Sequence, residues 1–560
     1  MIIKFSKIFA AALMFTGAAF AQGSNIKEKP AVPKNWHLLE ESSTGFPGIS
    51  LDKAYAFVKS KNLQSKKIIV AVIDSGIDTL HEDLKPILWR NPKEIPGNKI
   101  DDDKNGYIDD IYGWNFIGGK DGRNVKTDSY EGARVYHSLK AKWEGKTVDV
   151  ATLPAPEKAE YQTYLLAKEK TIGDANPQEM AYIKTLHPKL VQADSALRKE
   201  LKKEEYNGND LKDFFPVSAE AKMIKAFILN ISKANDSYEI TNQQLLDELG
   251  GELRKADAAT KAPTEYRKDI VGDNENDIND RFYGNNDVMA NTPFHGTHCS
   301  GIIAAVRNNN KGMDGVVSNV NIMMVRAVPD GDEHDKDIAL AIRYAVDNGA
   351  KIISMSFGKD FSPQKYWVDD AYRYAESKGV LLVQAAGNAH KNVDSSGSYP
   401  NPVYADGKGV ASNVINVGAS GNAQNGGITA SFSNYGKSNV DVFAPGVNIY
   451  STIPGGNTYG NASGTSMACP LVAGVAAFIL QHYPNLTPQQ VKLAIEKTAQ
   501  APKEKVKIPG TEDKVALSEI SKTGGIVNAY EAIKYASTLS AKPAKQERLP
   551  KSSIKKSKVG

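Results

Sequence analysis

Ser466 lies in Gly464-Thr465-Ser466-Met467-Ala468-Cys469-Pro470, between small residues and just ahead of an apolar run from 471 to 480. That setting puts a hydroxyl at the mouth of a buried helix. A serine hydroxyl is a weak nucleophile until a base removes its proton. A base, and a group to orient it, both stand upstream. Ile68-Ile69-Val70-Ala71-Val72-Ile73 is a continuous β-branched run, as expected of a strand buried on both faces. It ends in Asp74-Ser75-Gly76, at the carboxyl end of a strand, where open α/β sheets build their sites. Phe294-His295-Gly296-Thr297-His298 opens a small-residue stretch that continues through Ile302-Ile303-Ala304 and reads as a helix. His295 is the candidate base, and Asp74 the carboxylate that would fix its tautomer. The chemistry implied is acyl transfer through a serine.

Taken singly, an Asp-Ser-Gly or a Gly-Thr-Ser occurs by chance in many chains. Taken in this order, the segments resemble the subtilisin-like serine proteases, the subtilases. A fourth match is Gln384-Ala385-Ala386-Gly387-Asn388, after the apolar strand Val380-Leu381-Leu382-Val383. The resemblance implies a three-layer α/β fold, with a central, mostly parallel sheet flanked by helices. It implies a serine endopeptidase whose oxyanion hole is the Asn388 amide plus the backbone N–H of Ser466. His298 becomes a structural histidine beside the catalytic one. Ile352-Ile353-Ser354-Met355-Ser356-Phe357-Gly358 becomes the strand that pairs with an extended peptide. Ser354, Ser356, Phe357 and Gly358 are then expected to contact substrate, with Ala385 and Gly387 walling a roomy P1 pocket of apolar or aromatic preference.

The chain departs from compact subtilases between Asp74 and His295, which lie 221 positions apart. Five stretches there read as helix, rich in Leu, Ala, Lys and Glu: 130–145, 159–170, 177–202, 219–232 and 242–255. The organisation expected is a signal peptide at 1–21, an extension at 22–46, a catalytic domain at 47–124 and 266–540, a helical insertion at 125–265 and a basic tail at 541–560. Fewer than fifty residues separate Gln22 from Ile68, too few for the family's usual prodomain. The insertion is therefore expected to cover or restrict the cleft in its place. This leaves two function classes: an active endopeptidase, or a restrained binding protein whose insertion occludes the cleft.

Two loops invite calcium, which would be structural; no organic cofactor is expected. Asp101, Asp103, Asn105, the Tyr107 carbonyl and Asp109 space oxygen ligands at alternate positions around Gly106, like the front of an EF-hand loop. Tyr112 stands where the closing glutamate belongs, so a solvated acidic turn is equally open. The resemblance adds Asp83 as a calcium ligand, with Asn308 its side-chain partner.

Lys4 and Lys7, an apolar stretch to Phe20 and Ala19-Phe20-Ala21 read as a signal peptide, so export to the periplasm or beyond is expected. The apolar stretch is short for a membrane span, and no later run is expected to cross a membrane. Net charge is +4, and the tail concentrates lysines from Lys542 to Lys558. The body is close to neutral, which gives no basis for nucleic-acid binding. Protein or peptide substrates and a monomer are expected. The two cysteines, Cys299 and Cys469, fall close to His295 and Ser466. They are either buried free thiols or a bridge between the two helices.

Overall fold

Alternate side chains of strand β1 (Ile68–Asp74) enter opposite faces of a sheet, and both faces are apolar. Val70 and Val72 pack with Ile302, Val475 and Ile479, whereas Ala71 and Ile73 pack with Val325, Ile342 and Leu382. Such a strand needs helices above and below it. The computed structural model describes residues 32–539 except 173–176, 204–205, 235–237, 239–240 and 292, and it has this architecture. The signal-like segment and the basic tail lie outside the described residues.

The other strands of the sheet are β2 (Gly113–Asn115), β3 (Val320–Arg326), β4 (Ile352–Met355), β5 (Leu381–Ala385), β6 (Val414–Asn422), β7 (Asn425–Thr429) and β8 (Val442–Pro445). Their order is β2-β3-β1-β4-β5-β6-β7, with β8 paired to β6. Every pair is parallel except β6 with β7. β1 is flanked by β3 and β4, so the chain winds away from it in both directions. The carboxyl ends of β1 and β4 meet there, at the place where such sheets hold their ligands.

One face is covered by α1 (Leu51–Ser60) and, after a helical module, by α7 (Phe294–Ala304), α10 (Thr465–His482), α11 (Pro488–Lys497) and α12 (Ala529–Ala536). The other face carries α8 (Asp335–Asp347) and α9 (Lys365–Ser377). Contrary to expectation, α10 is long and apolar enough to cross a membrane. Its composition has another cause: 89% of it is buried, because it runs beneath β4, β5, β6 and β8 and is enclosed on all sides.

The module consists of α2 (Glu131–Trp143), α3 (Ala155–Ile172), α4 (Pro177–Leu201), α5 (Ala219–Ala234) and α6 (Asn242–Ala258). Each matches an expected helical stretch to within a few residues. α4, α5 and α6 bury a core of their own, including Leu190, Leu197, Phe227, Ile231 and Leu249. α2 and α3 form a second cluster through Val135, Tyr136, Trp143, Tyr164 and Ala167, and Phe361 of the sheet domain is part of it.

Candidate active site

Asp74 ends β1, and the α7 helix starts against it. The approach is close: a Cβ on Gly296 would stand 2.2 Å from the Gly76 carbonyl and 3.1 Å from the Asp74 Cβ. Only glycine permits it. His295 thereby places Nδ1 2.8 Å from Asp74 Oδ1, which also accepts the Ser75 N–H at 2.7 Å. Asp74 is 1% exposed. Burial lowers the His295 pKa, but the Asp74 carboxylate and the Cys299 thiol together outweigh it and hold the pKa well above the ordinary 6.5. The imidazole side chain is 38% exposed, so water screens part of that attraction. His298 is fully buried, its Nε2 3.2 Å from the Gly460 carbonyl, and burial takes its pKa down to about 4. It is a neutral core histidine, as expected.

Ser466 is the second residue of α10, so its own N–H points out of the helix start without an intrahelical acceptor. Pro470 follows four residues later and has no N–H to bond back to the Ser466 carbonyl. Two other donors fill that place: Cys299 Sγ at 3.3 Å and Ser356 Oγ at 3.0 Å. Proline thus exchanges a helix bond for two ties that fix the Ser466 peptide unit to α7 and to the end of β4. The Ser466 hydroxyl itself donates to the Ser356 carbonyl at 3.1 Å. Serine hydroxyl bonds to a neighbouring imidazole commonly tighten only with substrate present.

Asn388 lies three residues beyond β5. Its Oδ1 accepts from the Thr465 N–H at 2.8 Å and the Thr465 hydroxyl at 2.9 Å. Two donors on one oxygen fix the orientation of the amide and leave Nδ2 for the cleft. A Cβ on Gly464 would stand 3.5 Å from Ser466 N and 3.6 Å from Asn388 Nδ2, so both donors face one small space. Thr465 also accepts the Gly387 N–H, at 3.1 Å. Its part as the support of Asn388 was missed by sequence reasoning, although it lies inside the serine motif.

Asp74, His295, Ser466 and Asn388 all line one cleft of about 980 Å³. Ser356, Phe357, Gly358, Ala385 and Gly387 line it too. Ser354 does not: it is 1% exposed, with Oγ 3.6 Å from Cys469 Sγ. The strand alternation turns it into the core, and this corrects its expected substrate contact. Both cysteines are free and buried. Cys299 reaches toward Ser466, whereas Cys469 turns to the carbonyls of Met355 and Val383. Burial raises the pKa of both, that of Cys469 to about 12.

The family model of the subtilases matches residues 65–519. The chain belongs to the subtilase family. It is 40% identical to thermitase of Thermoactinomyces vulgaris over 255 residues, which are 45% of this chain and 80% of thermitase. It is 40% identical to subtilisin DY of Bacillus licheniformis over 208 residues, 37% of this chain and 70% of that one. A third relative is the cell wall-associated protease of Bacillus subtilis (strain 168), 37% identical over 233 residues, 41% of this chain and 24% of that one. This subtilase is a serine endopeptidase, and its substrates are proteins or peptides.

The expected cation ligands separate in the structure. Glu94, Asp101 and Asp103 bring carboxylate oxygens within 4.8 Å of one another. This all-oxygen set suits a hard cation such as calcium. Asp109 stands apart, its carboxylate accepting the N–H groups of Gly97 and Lys99 at 2.8 and 2.7 Å. Asn105 Oδ1 accepts the Tyr107 N–H within its own turn. Glu94 lies before the acidic run, and no spacing pattern pointed to it. At the second site the amide that reaches Asp83 belongs to Asn309, not Asn308. Left-handed backbone at Asn308 and Asn310 turns Asn309 inward, while the Asn308 N–H donates to Asp314. The Tyr459 hydroxyl, at 2.7 Å, takes the other Asp83 oxygen.

Proposed function

We propose that this subtilase cuts peptide bonds through an acyl-enzyme on Ser466. Ser466 Oγ attacks the scissile carbonyl carbon while His295 Nε2 takes its proton. Asp74 holds the Nδ1 proton and balances the imidazolium charge. The tetrahedral oxyanion receives hydrogen bonds from the Ser466 N–H and Asn388 Nδ2. Collapse of the intermediate breaks the C–N bond, and the amine leaves with the proton from His295. Water then repeats the sequence on the ester and frees Ser466. The observation that carries this reading is the convergence of the two donors beside Ser466, in the cleft that also holds the Asp74–His295 pair. A fluorophosphonate probe tests it. The wild-type enzyme should be labelled at Ser466, and unlabelled, well-folded enzyme would sink the reading.

Beyond Met355 the chain leaves the ladder with β1, and Lys359 pairs again with Tyr399. Ser356, Phe357 and Gly358 lie between, and their backbone is offered to an extended substrate. Ala385 and Gly387 leave room for an apolar or aromatic P1 side chain. Replacing Asn388 by leucine keeps the volume and removes the donor. It should lower kcat by about 10²–10³ with little change in KM, measured on a short chromogenic peptide.

The enzyme acts as an exported monomer in this reading. The signal-like residues 1–21 support export, as does a relative named a cell wall-associated protease. Calcium would be held by Glu94, Asp101 and Asp103, where its charge offsets three neighbouring carboxylates and stiffens the loop before β2. Chelation should lower the thermal midpoint, and calcium should restore it. A midpoint indifferent to chelator would refute the site.

A further inference from the structure

The helical module is part of the lining of the active-site cleft. Tyr130, Gly132 and Ala133 at the start of α2, with Lys170, Gln243 and Lys255 from α3 and α6, line the same cleft as Ser466. The module grips both walls of the half of the cleft that Ser356–Gly358 border, the non-primed side in the reading above. On the first wall, the segment 328–333, Arg134 Nη2 donates to the Asp332 carbonyl at 3.2 Å, the Glu131 N–H donates to Asp332 Oδ2 at 2.8 Å, and Arg254 pairs with Asp330 at 2.8 Å. On the second wall, just after Gly358, Lys359 Nζ lies between Glu131 of α2 at 2.8 Å and Asp335 of α8 at 2.9 Å. The Lys359 side chain is 2% exposed. Two residues further on, Phe361 is buried in the α2–α3 core.

These anchors make the cover permanent. Lifting α2 would part the buried Lys359 ammonium from Glu131, leaving it Asp335 and the Glu333 carbonyl, and breaking one side of a buried ion pair is costly. It would also pull Phe361 into water. A loop of a folded protein reaches a protease cleft from above, with its bulk behind it. An extended chain needs only a slot beneath the cover, and about 980 Å³ is the size of pocket that encloses a small ligand.

We propose that the module is a fixed roof over the non-primed half of the cleft, and that this enzyme selects short peptides and unfolded chains over loops of folded proteins. The proposal rests on the peptidase reading above, because it takes Ser356–Gly358 as the strand that holds the substrate. The test uses one cleavable sequence in two settings: a free, internally quenched peptide, and a surface loop of a folded carrier. The loop is chosen so that a compact subtilase lacking the module cuts both equally well. This enzyme should cut the folded loop about a hundredfold more slowly than the peptide, since the roof keeps the scissile bond out of attack geometry. Unfolding the carrier should restore the peptide's rate. Equal kcat/KM for folded loop and peptide would overturn the roof and leave the peptidase reading standing. Failure to cut the peptide at all would overturn both.

Discussion

Replacing Asp74 by asparagine should lower kcat about ten-thousandfold and shift the residual activity to lower pH. The first effect is one of tautomer. Asp74 Oδ1 accepts the proton on His295 Nδ1 at 2.8 Å, which leaves Nε2 as the acceptor for the serine. An asparagine that turns its NH₂ toward Nδ1 forces the ring proton onto Nε2, and the base then meets Ser466 already protonated. The second effect follows from charge. Burial lowers the His295 pKa, and Asp74 with a smaller part from Cys299 raises it by more in sum, so the net value lies above 6.5. The acid limb of kcat/KM should therefore fall above pH 6.5 in the wild type. In Asp74→Asn burial is opposed only by the neighbouring Cys299 thiol, and the limb should move to lower pH. A wild-type limb below 6.5, or a variant limb that does not move, would contradict the assignment. The same pair links pH to folding. Its stabilisation is complete below the ordinary histidine pKa and is lost as pH rises through the elevated folded value.

Ser466→Ala should lower kcat by about a millionfold and abolish fluorophosphonate labelling, with the fold unchanged. The fold is spared because the hydroxyl makes one contact, to the Ser356 carbonyl, while the main-chain ties belong to the Ser466 carbonyl and survive in alanine. The oxyanion donors also survive, so a residual rate above that of water remains. Adding Asn388→Leu to this variant should cost far less than it does in the wild type, since the two groups act on one intermediate. Full additivity, measured with titrated enzyme, would mean that Asn388 works elsewhere than on the acyl-transfer step.

The positions of Asp74, His295 and Ser466 were legible because each one ends a strand or starts a helix whose sequence is itself distinctive. Asp74 follows six apolar residues, and Ser466 opens a helix apolar on every side. The module's helices were legible from composition and period. Groups defined only by long-range contact were not. Glu94 joins Asp101 and Asp103 through the folding of a loop. Asn309 displaces Asn308 because two left-handed residues flank it. Ser354 was misjudged by extending the substrate strand two residues too far toward the core. Nothing in the local sequence of Phe361 indicates that it belongs to a hydrophobic cluster built from Val135 to Ala167, far upstream in the chain.

The separation of Asp74 from His295 has a kinetic consequence. The two triad partners meet only after a 221-residue excursion has closed. Closure entropy grows with the logarithm of loop length, at about 0.6 kcal/mol per doubling. The penalty is therefore modest once the helices between have collapsed on their own local core. Before that collapse no general base faces the serine. A newly made chain stays chemically silent until this excursion has closed, so cleavage waits on the folding of a module that supplies none of the reacting groups.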